Sequence, residues 1–249
     1  MKKTRINGYI LWRGPSLLDG SPIVVIAIKK SGNRKTGRML QTYILRADQT
    51  PVAAIRSGAD ASICGSCPHR GIVVGGRNKG RTCYVNIGQG PTGVYKAFQR
   101  GAYPACEDIE ALGEKQLVRL GTYGDPGAVP GWVWQTLIRS AVGHTGYTHQ
   151  WQNRPDLKGI VMASADNAQS AAAAHADGWR TFRVAMPGHI DRLPKESICP
   201  ASAEAGKKLT CETCLACHGA SSGRRGSIVI QAHGGFAVMA NVATLTATA

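Results

Sequence analysis

Acidic residues are scarce in this chain of 249 residues, with 15 Asp and Glu against 30 Lys and Arg. Only three acids, Asp19, Asp48 and Asp60, fall among the first 100 residues, against 17 Lys and Arg there. That front part carries +14 of the formal +15, and the remainder, with 13 Lys and Arg against 12 acids, is nearly balanced. A basic front on a balanced body favours a polyanionic partner, because neutralised phosphates release counterions. Long apolar runs are missing as well. The longest, "IVVIAI", is far below the roughly 20 residues needed to cross a bilayer. The start "MKKTRINGYILWRG" has the positive residues of a secretory leader without its apolar stretch. A soluble, cytoplasmic protein without a membrane partner is the expectation. Also absent are a solenoid repeat, a recognition-helix motif, a P-loop lysine in "GQGPTG", and the His-hydrophobic-His motif of nicking enzymes.

What is present is cysteine in two groups. Cys64-x₂-Cys67 is followed by Cys83, and Cys199 is followed by Cys211-x₂-Cys214-x₂-Cys217. Thiolates two residues apart converge on one metal centre, because a short turn points both sulfurs to the same side. Their neighbours are Gly, Pro, Ser and charged residues, which argues against cysteines used as small hydrophobes. The triplet is too crowded for a set of disulfides. Cys211, Cys214 and Cys217 match the ligand step of ferredoxin-type clusters, with Cys199 as fourth sulfur. A closed four-thiolate zinc site is the competing reading. The first group has three thiolates, so either His69 completes a Cys₃His zinc site or one position of an iron–sulfur cluster stays open. Cys106 stands alone beside Glu107 and Asp108 and reads as structural.

The chain is expected to divide into a basic β-rich region, 1–50, and an α/β body, 51–249, forming one unit. "GYILWRG", "SPIVVIAIKK" and "RMLQTYILRAD" read as antiparallel strands; helices and strands alternate from Ala105 onward, which favours parallel strands. Each later strand ends in chemically capable residues: Gly124 and Asp125; Tyr147, Thr148 and His149; Ser164 and Asp166; Arg183; His233. Carboxyl ends of parallel strands form the active face of barrels and open α/β sheets. The expected fold is therefore a partial or irregular (β/α) barrel behind a small basic antiparallel region, with Asp125, Tyr147, His149, Asp166 and His233 lining its pocket. Asp125, His149 and Asp166 could instead hold a hard metal for nuclease chemistry. Lys29, Lys30, Arg34, Lys35 and Arg38 flank one turn and form the candidate nucleic-acid contact.

Taken together, "CYV" after the third cysteine, "GTYGDP", "YTHQW", "MASAD" and "CP…CETCLACHG" resemble Cys-rich phage and prophage proteins related to the gene-88 product family of mycobacteriophages. The layout is similar to radical-SAM enzymes. That resemblance implies a [4Fe–4S] cluster on Cys64, Cys67 and Cys83 and an auxiliary centre on the C-terminal four cysteines. It also implies S-adenosylmethionine held near Gly124, Asp125 and Ser164, and a nucleic acid or nucleotide as substrate. The alternative is a non-enzymatic nucleic-acid-binding protein stapled by zinc.

Overall fold

Branched and aromatic residues alternating between turn-rich connections give the front of the chain three strands, β1 (Gly8–Pro15), β2 (Pro22–Ile28) and β3 (Leu40–Arg46). They pair antiparallel in sequence order. The computed structural model describes residues 6–185, 190–220 and 226–232. After β3 come α1 (Pro51–Ser57) and α2 (Ala61–Cys64). The Thr50 side chain caps α1 by accepting from the Ala53 amide, and Pro51 sits in the first turn, where its missing N–H costs nothing. A small hairpin, β4 (Ile72–Val74) and β5 (Arg77–Lys79), stands apart from the main sheets. Helices α3 (Gly90–Gln99) and α4 (Ile109–Gly113) lead to β6 (Leu117–Tyr123).

Apart from the β4–β5 hairpin, the strand pairs formed from β3 onward are parallel. β6 pairs with β3 on one side and with β7 (Gly143–Thr145) on the other; α5 (Gly131–Ile138) connects β6 to β7. One residue later the chain changes partner. β8 (Tyr147–Thr148) pairs with β9 (Met162–Ala165), so Gly146 joins two five-stranded sheets. α6 (Ala168–Ala176) leads from β9 to β10 (Thr181–Ala185). The second sheet is completed by β12 (Ser227–Gln231) and, at its edge, β11 (Glu196–Ile198), in the order β11-β12-β10-β9-β8. The last short helix is α7 (Cys211–Cys214). The fold is thus α/β with mixed pairing, and among the described residues β1 and β11, the outer strands of the two sheets, do not pair with each other to close a barrel.

Register sorts the side chains into two faces. Gln41, Arg119 and Thr145 are partners on adjacent strands, and Tyr147, two residues past Thr145, faces the same way. Met162 lies opposite Tyr147, Ser164 opposite Phe182, and Phe182 opposite Ile228, continuing that face across the second sheet. The other face carries Val118, Leu120, Ala163 and Val229, all fully buried apolar residues. One face of the sheet is ordinary core; the other is polar at β3, β6 and β7.

Candidate functional site

The first cysteine group sits on the connection that follows the first parallel strand. Cys64 is the last residue of α2, and the Cys67 amide donates to the Cys64 carbonyl at 3.2 Å. Cys83 comes 16 positions later. The β4–β5 hairpin occupies that interval and returns the chain to its start, where the Thr82 and Cys83 amides both donate to the His69 carbonyl, at 3.1 and 2.9 Å. The long spacing is therefore a folded excursion and not a separation. Burial pushes the Cys64 thiol well above its ordinary value, and the adjacent Cys67 and Cys83 add to the shift. Burial raises Cys83 as well, partly offset by Arg81. Tyr123, at the end of β6, is pushed up by burial and then by Cys64. Its buried hydroxyl has no hydrogen-bond partner among the described residues.

Strand ends supply the next layer. Asp125 follows β6, and its carboxylate accepts from the Gly127 amide (2.7 Å), the Thr148 hydroxyl (2.5 Å) and the His149 amide (2.7 Å). Desolvation raises its pKa, and these donors oppose the rise. Asp125 thus brackets the ends of β6 and β8. Gly124 beside it lies in the left-handed region, and a Cβ there would meet Ile44 at 2.7 Å. His149, just past β8, donates through Nε2 to Asp166 Oδ1 at 3.2 Å, and Asp166 follows β9. His69 reaches the same oxygen through Nε2 at 3.1 Å, while its Nδ1 bonds Thr82 Oγ1 at 2.7 Å. Both His69 ring nitrogens are therefore engaged away from the three thiols. Burial alone would push His149 down, but Cys67 and Asp166 beside it hold it well above the usual imidazole range. Burial alone would raise Asp166, and its bonds to His149 and His69 instead hold it far below the usual carboxylate range.

The second cysteine group lies against the polar face. Cys199 follows β11, its amide donating to the Val229 carbonyl at 2.8 Å. Cys211 and Cys214 are the two ends of α7, three apart and so on one side of the helix. Leu215 then takes a left-handed conformation (φ 49°), unusual outside glycine, which turns the chain toward Cys217. The Cys217 carbonyl accepts from the Gly146 amide at 3.0 Å, at the junction of the two sheets. Cys199, Cys217, Tyr147 and Phe182 share one apolar cluster. Burial drives the Cys217 thiol up, and the other three cysteines contribute in the same direction. Arg119, only 5% exposed, lies with its guanidinium 4.0 Å from the Tyr147 ring, which in turn stacks on Phe182 at 4.3 Å. Burial would lower Arg119, while Tyr147, Cys211 and Cys217 oppose that change. Its register neighbours Gln41 and Thr145 each keep a buried side-chain oxygen without a partner among the described residues.

The basic turn between β2 and β3 meets this second group. The Cys211 amide donates to the Lys35 carbonyl (2.8 Å), and Arg38 donates to Glu212 through its amide (2.9 Å) and Nε (3.4 Å). Gly37 between them has φ 65°, and any Cβ there would collide with the Glu212 carboxylate. Lys29, Lys30, Arg34, Lys35 and Arg38 are all exposed.

The structure brings Cys64, Cys67, Cys83, His149 and Asp166 into one neighbourhood. Tyr147 and Ser164 share the inner face, and His233 lies outside the described residues. His69 as a partner of Asp166, Arg119 and Tyr123 are additions that only the register and the hairpin reveal. Among the described residues one set of ligand atoms lies wholly within 4.8 Å, that of His69, His149 and Asp166; no three cysteine sulfurs are so close. Compared with protein-family models, curated proteins and solved structures, the chain matches none.

Proposed function

We propose that this chain is a metalloprotein with two cysteine-ligated iron–sulfur centres on a partial (β/α) barrel, and that the three-cysteine centre is reactive. The observation that carries the reading is the return of Cys83 to Cys64 and Cys67 beside Tyr123, whose buried hydroxyl has no acceptor among the described residues. Buried polar groups are normally paired, and a thiolate or inorganic sulfide would be an acceptor for it. The donor set fits: soft sulfurs, raised in pKa chiefly by burial at Cys64, Cys83 and Cys217, are what a metal centre deprotonates. A single zinc with Zn–S near about 2.3 Å needs sulfurs about 3.8 Å apart. An iron–sulfur cluster spreads its thiolates over separate irons and needs no such close approach. When bound, such a centre supplies one-electron chemistry, with one iron open to an exogenous ligand when only three thiolates hold it.

The residues around it would do the rest. Arg119 and Tyr147 would receive the anionic and planar parts of a substrate on the inner face, where Gln41 and Thr145 offer oxygens with no partner among the described residues. Asp125 would keep the β6 and β8 ends together so that His149 stays at the rim. The substrate class we favour is a nucleic acid or nucleotide, with S-adenosylmethionine as co-substrate, as in the phage-type proteins the sequence resembles. Protein purified without oxygen should be brown and release acid-labile sulfide. Cys64→Ser should lose roughly half of the iron while Cys214→Ser loses the other share. Colourless anaerobic protein holding two zinc ions would overturn the reading in favour of a zinc-stapled binding protein.

The basic turn gives the reading its second test. Arg38 is tied to Glu212, so Lys29, Lys30, Arg34 and Lys35 are the charges left to meet phosphates. Replacing those four by Gln should make the slope of log affinity against log salt shallower by about one per phosphate contact removed. A slope identical to that of the parent protein would assign the charge another role.

A further inference from the structure

A second kind of metal-binding chemistry lies beside the thiols, and it does not depend on the cysteine reading. His69, His149 and Asp166 come from three different places: the turn after Cys67, the end of β8 and the end of β9. Their ligand atoms lie within 4.8 Å of one another. Both imidazole Nε2 atoms approach the same Asp166 oxygen, at 3.1 and 3.2 Å. Metal–nitrogen and metal–oxygen bonds of about 2.0–2.2 Å put neighbouring ligands roughly 3.0–3.4 Å apart. The spacing of each histidine from the carboxylate is already that of two donors sharing an ion.

The surroundings favour the same outcome. The three side chains are 17%, 18% and 32% exposed, so they are sheltered yet reachable. His69 has its second ring nitrogen on the Thr82 hydroxyl at 2.7 Å, the outer contact that fixes the tautomer and direction of a ligating histidine. The His149 amide is held by Asp125, which is itself locked by Gly127 and Thr148. The Asp166 amide is held by Ser170 Oγ at 3.1 Å, inside the Asn167 capping box of α6. Each donor is positioned from behind by a separate element. Asp125 is not one of the ligands, because its oxygens are used in bracketing the strands; His69 stands in the third position instead.

We infer that His69, His149 and Asp166 form a mononuclear site for a divalent first-row transition-metal ion, with open positions for water or substrate. Two histidines and one carboxylate supply nitrogen and oxygen donors and leave part of the coordination sphere free. The ion would sit beside Cys67, which adjoins His149, and so on the rim of the three-cysteine set.

Co(II) is the probe, titrated into the full-length protein as isolated and followed optically. Expected is one equivalent with ligand-field bands and no sulfur-to-metal charge transfer, retained in Cys64→Ser. Asp166→Asn and His69→Gln should abolish that equivalent. Thr82→Val, which touches no ligand atom, should weaken it by about 10–100-fold. Circular dichroism checks each variant's fold; should Asp166→Asn misfold, the wild-type stoichiometry and the Thr82→Val shift decide. Cobalt bound only with thiolate charge-transfer bands, or bound equally by the His69→Gln and Thr82→Val proteins, would overturn the site. Loss of iron from Cys64→Ser alone would leave it standing, so this site and the cluster reading fail separately.

Discussion

Cys214→Ser protein is expected to melt far below the parent and to be cut rapidly by protease between Cys199 and Cys217. That stretch has little regular structure, one four-residue helix and one short 3₁₀ turn, Ala203–Ala205. What fixes it are the second cysteine group and a few long-range bonds: Cys211 to Lys35, Glu212 to Arg38, Gly146 to Cys217, and Arg180 to the carbonyls of Ala216 and His218. Structural zinc in zinc-finger peptides contributes about 10–16 kcal/mol of apparent binding energy, a whole domain is stable by only about 5–15 kcal/mol, and the metal centre proposed here would couple to folding in the same way. Loss of one ligand therefore threatens the entire fold, and chelation at the same site should act alike. Differential scanning calorimetry with limited proteolysis decides. An unchanged melting temperature in the variant would show that the centre is dispensable for folding.

The second large effect lies on the opposite face of the second sheet. Arg183 of β10 and Glu196 of β11 form a two-pronged ion pair, at 2.8 and 2.7 Å, with side chains 6% and 0% exposed. Glu196 also accepts from the Leu193 amide at 2.9 Å, and Arg183 donates to the Asp191 carbonyl. Removing one partner strands a buried charge, so Glu196→Ala should cost about 3–5 kcal/mol, whereas Arg183→Met with Glu196→Leu should cost far less. Burial pushes the Glu196 carboxyl up, but Arg183 and the Leu193 amide more than reverse this, leaving it below its ordinary value. Its contribution is thus present above the unfolded pKa of about 4.3 and is lost as pH falls through the lower folded value. Urea midpoints measured from neutral pH downward should fall more steeply for the parent than for the double variant. Parallel curves would remove the pair from the acid response.

Most strands and the long helices are legible in the sequence because their signals are local. "PIVVIAI" and "MASAD" are short branched or small runs between turns, Thr50-Pro51 marks a helix start, and Asn167 with Ser170 caps α6. The strand-end reading placed His149 and Asp166, which do meet. The β4–β5 hairpin was there to be read too. Gly75 and Gly76, with φ 58° and 72°, form the two-residue turn that favours paired glycines, yet exposed three-residue strands carry no core pattern. β11 has the same weakness, being three residues at an edge. The companionship of His69 with Asp166, 97 residues away, and of Arg119 with Tyr147 depends on pairing across strands. No spacing within one segment encodes it.

The bonds between Arg38 and Glu212 span 174 residues. A ribosome delivers the front of the chain first, at a pace of about 5–20 residues per second, so the β2–β3 turn waits on the order of ten seconds for its partner. Long-range contacts of this kind slow folding, since loop closure must precede any gain. During that wait Cys64, Cys67 and Cys83 have already emerged, while Cys199 to Cys217 have not. The two thiol groups consequently meet whatever loads or oxidises them in a fixed order, the three-cysteine group first and the four-cysteine group last.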